Sequence, residues 1–243
     1  MKCQPLLAIA LLLATAMSGF ANSLSEEKQR SRLQALHTED VKNMHLTPLD
    51  RAYLDTYALL SGHNQCSQFF TGGGSRQVLD ELVIRLRIRL MSDSRIGIRM
   101  SGMFTSLVEP QEGISYRLFA EAEINSHGAF YRSKTFPAEP LVPNMGSFRP
   151  NTREARVLIL LHELAHLIKD RDGTWLIPDD GSDAQLSRAN TLTVESRCGQ
   201  QIRALWQTNV FPIPDLDVGK EHRTRVVQSN REKICTRTRA ACG

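Results

Sequence analysis

Beyond its first 21 residues, the chain has no apolar run of the roughly 20 residues that a membrane-spanning helix requires. It has no CxxC pair, so the clustered cysteines of many structural zinc sites are missing. The glycines at 72–74 are not followed by Lys and Ser or Thr, which excludes a phosphate-binding P-loop. Positive charge is in small excess, with 30 Lys and Arg against 26 Asp and Glu. These absences predict a soluble protein that neither spans a membrane nor binds nucleic acid.

The one long apolar run lies at the N-terminus. Lys2 precedes it, residues 5–17 are almost wholly apolar, and small residues continue to Ala21. This order is typical of a secretory signal peptide. We therefore predict cleavage after Ala21 or Ser18, and an exported mature protein in the periplasm or outside the cell.

The cysteine count fits an oxidising compartment. One of the five cysteines lies in the predicted signal peptide, and the other four are Cys66, Cys198, Cys235 and Cys242. An even number in an exported protein favours disulfides, and four cysteines allow three pairings. Cys235 and Cys242 are close enough in sequence to close a small loop, which leaves Cys66 to pair with Cys198. Ligation of zinc by cysteine is the alternative.

The most informative stretch is residues 158–168, which contain His162-Glu163-Leu164-Ala165-His166 within an apolar run. On a helix, the i, i+4 spacing places His162 and His166 on one face, about 6 Å apart at their Cβ atoms. Two imidazoles in this arrangement can bind one Zn²⁺. Glu163 lies roughly 100° around the helix, where it can act as a general base without being a ligand.

The flanks of this motif favour a metal over an ordinary pair of helical histidines. Residues 157–161 are apolar all round, which predicts a helix that is buried on every side. Burying Glu163 and two histidines costs free energy, and a bound metal would offset that cost.

Residue periodicity predicts an α+β fold around this helix. Residues 22–60 have helical spacing, and Thr47-Pro48 is a typical helix start. This segment is expected either to pack on the domain or to act as an inhibitory propeptide. Apolar and polar residues alternate at 83–91 and at 96–100, which predicts a β-hairpin. The same alternation at 116–124 predicts a further strand.

Capping residues predict the limits of the two central helices. Asn151 is expected to cap the motif helix, with Glu154 in the capping-box position, and Gly173 to end it. A second helix is expected after residues 181–182. Its predicted inward face carries Asp183, Ser187, Asn190, Val194 and Cys198, at spacings of three and four residues.

At this point the residues carry a family resemblance. Residues 159–168 resemble the signature of zincin metallopeptidases. More broadly, the chain is similar to a group of uncharacterised exported bacterial metallopeptidases. The similar segments are 96–102, 116–119, 122–125, 161–167 and 190–198. The resemblance covers about residues 60–200. It implies bound zinc and a zincin-like fold, in which a small mixed or antiparallel sheet packs on the motif helix and the second helix.

The resemblance also implies an edge strand that receives the backbone of a peptide substrate. Residues 128–132 are our candidate, with Gly128, Phe130 and Tyr131 as substrate contacts. Tyr131, His127 and His222 are candidates for stabilising the transition state.

A catalytic zinc site needs a third protein ligand and an open position for water. The third histidine of metzincins is absent, because the next histidine after His166 is His222. Asp180 and Asp183 follow at a distance similar to that in aspzincins, although the Gly-Thr-x-Asp motif is missing. Glu195 lies within the range of gluzincins.

These carboxylates leave the third ligand open. Glu195 points about 100° away from the predicted inward face of its helix. Asp180 is therefore our predicted ligand, with Asp183 and Glu195 as alternatives and Asp179 as a further one.

We predict a signal peptide at 1–21, a helical segment at 22–60 and a zincin-like metallopeptidase domain at 61–243. The expected activity is zinc-dependent hydrolysis of a peptide or protein substrate, with Glu163 as general base. The alternative is an exported zinc-binding or structural protein with a degenerate peptidase fold. The intact Glu163 argues against this alternative, because a purely structural site does not use that carboxylate.

Overall fold

The computed structural model describes residues 25–38, 41, 43–70, 74–109, 113–133, 141–205 and 225–230. The predicted signal peptide, His222 and the pair Cys235 and Cys242 lie outside these ranges. Within them the helices are α1 (25–36), α2 (Pro48–Ser61), α3 (Gln65–Phe69), α4 (Gly74–Arg85), α5 (Arg153–Leu167) and α6 (Ala184–Ala204). The strands are β1 (Leu86–Arg89), β2 (Ile98–Glu109), β3 (Ile114–Asn125) and β4 (Arg225–Asn230).

The fold is α+β with one small mixed sheet, as predicted. The strand order is β1-β3-β2-β4. Strand β1 runs parallel to β3, whereas β2 is antiparallel to both β3 and β4. Helix α5 packs against β3 and against α2, α4 and α6. Among the described residues, no helix combines the length and the apolar character needed to cross a membrane.

The predicted hairpin of residues 83–91 with 96–100 is wrong. Helix α4 continues to Arg85, and the short β1 pairs in parallel with β3 rather than with β2. The alternating pattern is misleading here because apolar residues at helical spacing overlap it. These residues are buried, and they are Leu79, Leu82, Val83 and Leu86. Ile88 and Leu90, the apolar positions of the expected strand, are 60% and 70% exposed. The hairpin of this sheet joins β2 to β3 instead.

The start of α2 is confirmed, with Pro48 in the first turn. Thr47 accepts a hydrogen bond from the main-chain N–H of Asp50 at 3.1 Å, and the Asp50 carboxylate accepts one from the Thr47 N–H at 2.8 Å. This reciprocal pair satisfies two N–H groups at the helix start. Leu33 of α1 and Tyr53 of α2 belong to the same buried cluster as α5. The described part of the N-terminal segment therefore packs on the domain.

The predicted disulfide between Cys66 and Cys198 is confirmed. It joins α3 to α6 across 132 residues of sequence, and both cysteines are fully buried. Closing so long a loop restricts the unfolded chain and so favours the folded state. The bond holds α6 against the N-terminal helices.

A polar cluster connects His37, which follows α1, to α2 and α4. The Tyr53 hydroxyl donates to the Asp80 carboxylate at 2.6 Å, and His37 Nε2 lies 2.5 Å from the same hydroxyl oxygen. Because the single Tyr53 proton points to Asp80, we infer that His37 Nε2 donates. Burial raises the pKa of Asp80 to about 7, and it lowers the pKa of His37.

Stability is therefore expected to depend on the titration of Asp80. The pKa of this carboxyl is raised from 3.8 to about 7 in the folded protein. Asp80 contributes its full stabilisation of the folded protein below pH 3.8, where the carboxyl is protonated in both the folded and the unfolded state. This stabilisation is lost as pH rises through 7. The difference between pKa values of 3.8 and about 7 corresponds to roughly 4 kcal/mol in the free energy of unfolding. The loss is expected to be smaller than this, because water screens a carboxyl that is only partly buried.

The test compares chemical unfolding of the wild type and Asp80→Asn at several values between pH 5 and pH 8. The free energy of unfolding of the wild type is expected to fall relative to that of the variant as pH rises. Parallel pH profiles would contradict the assignment.

Helix α5 begins one residue later and ends earlier than the sequence predicts. Its N-cap is Thr152, which accepts from the N–H of Ala155, whereas Asn151 adopts a positive φ of 61° just before it. The helix ends at Leu167 rather than near Gly173, because Ile168 turns to extended backbone and bridges Tyr116 of β3. Pairing with the sheet therefore ends the helix before the glycine signal.

Candidate metal centre

The motif residues lie in the buried second half of α5. Every residue from Val157 to Ile168 is buried, as predicted for a helix that is covered on all sides. His162 and His166 are each 3% exposed, and Glu163 is 5% exposed. The i, i+4 spacing brings the two imidazoles together, with Nε2 of His162 at 3.1 Å from Nε2 of His166.

Asp180 reaches these histidines from the segment that follows α5. The segment first runs beside the end of the helix, where the Leu176 N–H donates to the Ile168 carbonyl at 3.0 Å. Asn190 of α6 then donates to the Pro178 carbonyl at 2.9 Å, and the Asp183 N–H donates to the Asp180 carbonyl at 2.8 Å. The Asp180 side chain is thereby held at the turn before α6, and the residue is 5% exposed.

Three side-chain atoms converge at this point. Asp180 Oδ2 lies 3.4 Å from Nε2 of His162 and 3.7 Å from Nε2 of His166. With the 3.1 Å between the two nitrogens, they form a nearly equilateral triangle. Tetrahedral zinc with bonds of about 2.0–2.1 Å separates its ligand atoms by roughly 3.3 Å. The triangle has that size, so His162, His166 and Asp180 could hold a metal ion.

The donor types narrow the choice of metal. Two imidazoles and one carboxylate suit zinc and other first-row transition metals. Calcium and magnesium favour sites made of oxygen alone.

No protein-family model, curated protein or solved structure matches this chain.

A hydrogen bond to Thr191 sets the tautomer of His162. Thr191 Oγ1 donates its only proton to the Ser187 carbonyl at 2.9 Å, and it lies 3.1 Å from Nδ1 of His162. The hydroxyl oxygen must therefore accept, which places the imidazole proton on Nδ1. This tautomer, inferred from the hydrogen bonds, leaves the lone pair on Nε2, as a metal ligand requires.

His166 is flanked by a second carboxylate. Its Nδ1 lies 3.9 Å from Oδ1 of Asp179, the residue next to Asp180. Asp179 is itself paired with Arg117 of β3. Thr191 is thus within hydrogen-bond distance of Nδ1 of His162, as is typical of metal-binding histidines, whereas the Asp179 oxygen is too far from Nδ1 of His166 for a hydrogen bond.

The Asp180 carboxyl is ionised at neutral pH. Burial would raise its pKa, but the neighbouring His162 and His166 imidazoles, when protonated, outweigh burial and hold the pKa well below its ordinary value. The site therefore presents one negative charge to a cation.

The two alternative carboxylates have other partners. Asp183 is the exposed N-cap of α6 and accepts from the N–H groups of Gln185 and Leu186 at 2.9 and 3.0 Å. Its predicted place on the inward face of the helix is wrong, because a capping residue precedes the helix.

Glu195 pairs with Ser147 and Arg203. Its carboxylate also fills the space beside Gly146, where a Cβ atom would meet Oε2 at 2.0 Å. Among the described residues, neither Asp183 nor Glu195 belongs to the group that could hold a metal.

The predicted edge strand at 128–132 is wrong. These residues form turns, with the Tyr131 and Arg132 N–H groups donating to the Gly128 carbonyl at 3.1 Å, and Phe130 is fully buried. Arg156 of α5 donates to the Phe130 carbonyl at 2.9 Å, which ties the turn to the first half of the helix. Substrate contacts by Gly128, Phe130 and Tyr131 stay predictions that no strand supports.

Sequence reasoning missed Thr191 and Arg117. Thr191 directly follows Asn190, which is on the predicted inward face of the helix. A wider predicted face would have included Thr191. Arg117 occupies a polar position in the alternation of β3, where an arginine is expected on the solvated side.

Proposed function

We propose that this protein is an exported zinc-dependent peptidase of zincin-like fold. The observation that carries the proposal is the buried triangle of His162, His166 and Asp180, whose edges match the ligand spacing of tetrahedral zinc. The helical His-Glu-x-x-His arrangement supports a hydrolytic role, because it adds a carboxylate next to the metal ligands. The buried disulfide supports export, since such bonds persist in oxidising compartments.

Each residue has a distinct role in the proposed hydrolysis. His162 and His166 bind through Nε2, and Asp180 contributes an anionic oxygen. Zinc, when bound, would acidify water and polarise the peptide carbonyl. The Glu163 carboxylate takes a proton from the attacking water as its oxygen bonds to the carbonyl carbon. Glu163 then gives that proton to the amide nitrogen as the C–N bond breaks, so the products are a carboxylic acid and an amine.

A second candidate is a zinc-binding protein without hydrolytic activity. The burial of all three ligands favours it, because structural zinc sites are closed whereas catalytic sites keep an open position. The buried Glu163 beside His162 favours the peptidase.

The test starts with the purified mature protein. Elemental analysis is expected to find a single zinc ion per chain, and a labelled unfolded protein is expected to be cleaved. A chelator such as 1,10-phenanthroline should abolish cleavage, and added zinc should restore it.

Three outcomes separate the possibilities. Cleavage that persists in the metal-free protein would contradict the proposed mechanism. Bound zinc without cleavage of a varied peptide library would favour the second candidate. Iron in place of zinc would show that the same donor set serves another metal.

A further inference from the structure

Arg117 is a buried arginine in the middle of β3. Three aromatic rings surround its guanidinium, with ring centres at 4.1 Å for Trp175, 5.2 Å for Phe119 and 5.5 Å for Phe104. Burying a charged arginine is strongly unfavourable unless other groups pair with it. The groups that satisfy Arg117 therefore indicate its role.

Those groups lie beside the candidate metal site. Nε of Arg117 donates to the main-chain carbonyl of His166 at 2.9 Å. Nη1 donates to Oδ2 of Asp179 at 3.0 Å, and Nη2 donates to Oδ1 of the same carboxylate. One guanidinium thus binds the main chain of one candidate ligand, His166, and the side chain of the residue that precedes another, Asp180.

We propose that Arg117 and Asp179 form a positioning pair that assembles the metal site before the metal binds. The proposal rests on the metal site of the proposed function and adds two residues to it. Asp179 is covalently next to Asp180, so holding its carboxylate against β3 restricts the backbone that presents Asp180. The bond to the His166 carbonyl fixes the same guanidinium to the end of α5. The separation between Asp180 and His166 is thereby set by a rigid planar group.

Asp179 acts on His166 as well. The oxygen that Arg117 holds lies 3.9 Å from Nδ1 of His166. The distance is too long for a hydrogen bond, but the negative charge on this side attracts a proton to Nδ1 and so leaves Nε2 to bind metal. Without the pair, the segment bearing Asp180 would have to be ordered when the metal binds, and that entropy cost would weaken binding.

Helix α5 offers a matched control at its other end. Arg153 binds both carboxylate oxygens of Asp55 at 2.6 Å and donates to the Leu205 carbonyl at 2.9 Å. Like Arg117, Arg153 thus binds one carboxylate and one main-chain carbonyl. It does so at the end of α5 that is remote from the metal ligands. A variant there tests whether loss of any such clamp weakens metal binding.

The experiment measures zinc affinity of the folded mature protein by competition with a chromophoric chelator. Arg117→Lys keeps the charge but loses the two-pronged geometry, and it is expected to weaken zinc binding about 10- to 100-fold. Asp179→Asn is expected to act in the same direction. It is also the safer variant for folding, because the Asp179 side chain is 53% exposed. Arg153→Lys is expected to bind zinc like the wild type.

A double variant tests the pair as a unit. Arg117→Lys with Asp179→Asn should bind zinc little worse than either single variant, since both changes remove the same interaction. Wild-type affinity in the folded Arg117→Lys and Asp179→Asn proteins would overturn the positioning role and leave the proposed peptidase intact. Equal weakening by Arg153→Lys would also overturn it. A wild type that binds no zinc would refute the proposed function and this inference with it.

Discussion

Replacing Asp180 with alanine is expected to remove zinc from the purified protein during dialysis at neutral pH. Asp180 supplies the only carboxylate oxygen in the buried triangle. Without it, a divalent cation in this buried site would have no negative charge to compensate its own. Loss of a residue that acts only on a ligand costs about 10- to 100-fold in affinity, and loss of a ligand should cost more. Elemental analysis after dialysis measures the outcome.

Two neighbouring carboxylates serve as controls. Asp183→Ala removes a helix cap and is expected to lower stability by about 0.5–2 kcal/mol while zinc is retained. Glu195→Ala breaks the bonds to Ser147 and Arg203, away from the triangle, and should also retain zinc. Zinc that survives in Asp180→Ala but is lost from either control would assign the third ligand differently.

The second large effect is expected from Glu163→Gln, which should keep its zinc and lose hydrolysis. The amide has nearly the shape of the carboxylate but cannot accept the proton of the attacking water. General-base catalysis contributes about 10²- to 10⁴-fold, so the rate of cleavage should fall by that order. The metal content should match that of the wild type, because Glu163 is not one of the three grouped ligands.

The matched control for this variant is Glu154→Gln. Glu154 lies in the first turn of the same helix, more than two turns before His162. This change removes the same charge from α5 without touching the motif, and cleavage should continue at the wild-type rate. Full activity in Glu163→Gln would refute its role as general base. Loss of zinc from Glu163→Gln would indicate that the residue supports the site rather than the chemistry.

Local patterns predicted the elements whose signals lie within a few residues. The start of α2 depends on Thr47, whose side chain accepts from the N–H of Asp50, and on Pro48, whose fixed φ suits the first helical position. The buried motif helix follows from the apolar run at residues 157–161. The pairing of Cys66 with Cys198 was predicted by elimination, since the other two cysteines are close in sequence.

Predictions failed where distant residues compete with a local pattern. Residues 83–85 remain helical because their apolar side chains are buried in the core, although their alternation is that of a strand. Helix α5 ends at Leu167 because Ile168 joins β3, and the glycine expected to end it lies beyond that contact. In the segment 128–132, the Ala129 and Phe130 carbonyls accept from the Asn151 N–H and from Arg156 instead of from a neighbouring strand. In each case the deciding partner is far away in sequence.

The sequence by itself determined which side chains can meet on one helix, because the spacing of His162 and His166 needs only the geometry of a helical turn. Only the tertiary structure decided between the carboxylates. Asp180 and Asp183 are three residues apart, and both precede α6 closely. The path of the chain after α5 separates them, since Asn190 holds Pro178 and Arg117 holds Asp179. These bonds come from α6 and β3, so they direct Asp180 to the histidines and leave Asp183 to cap the helix.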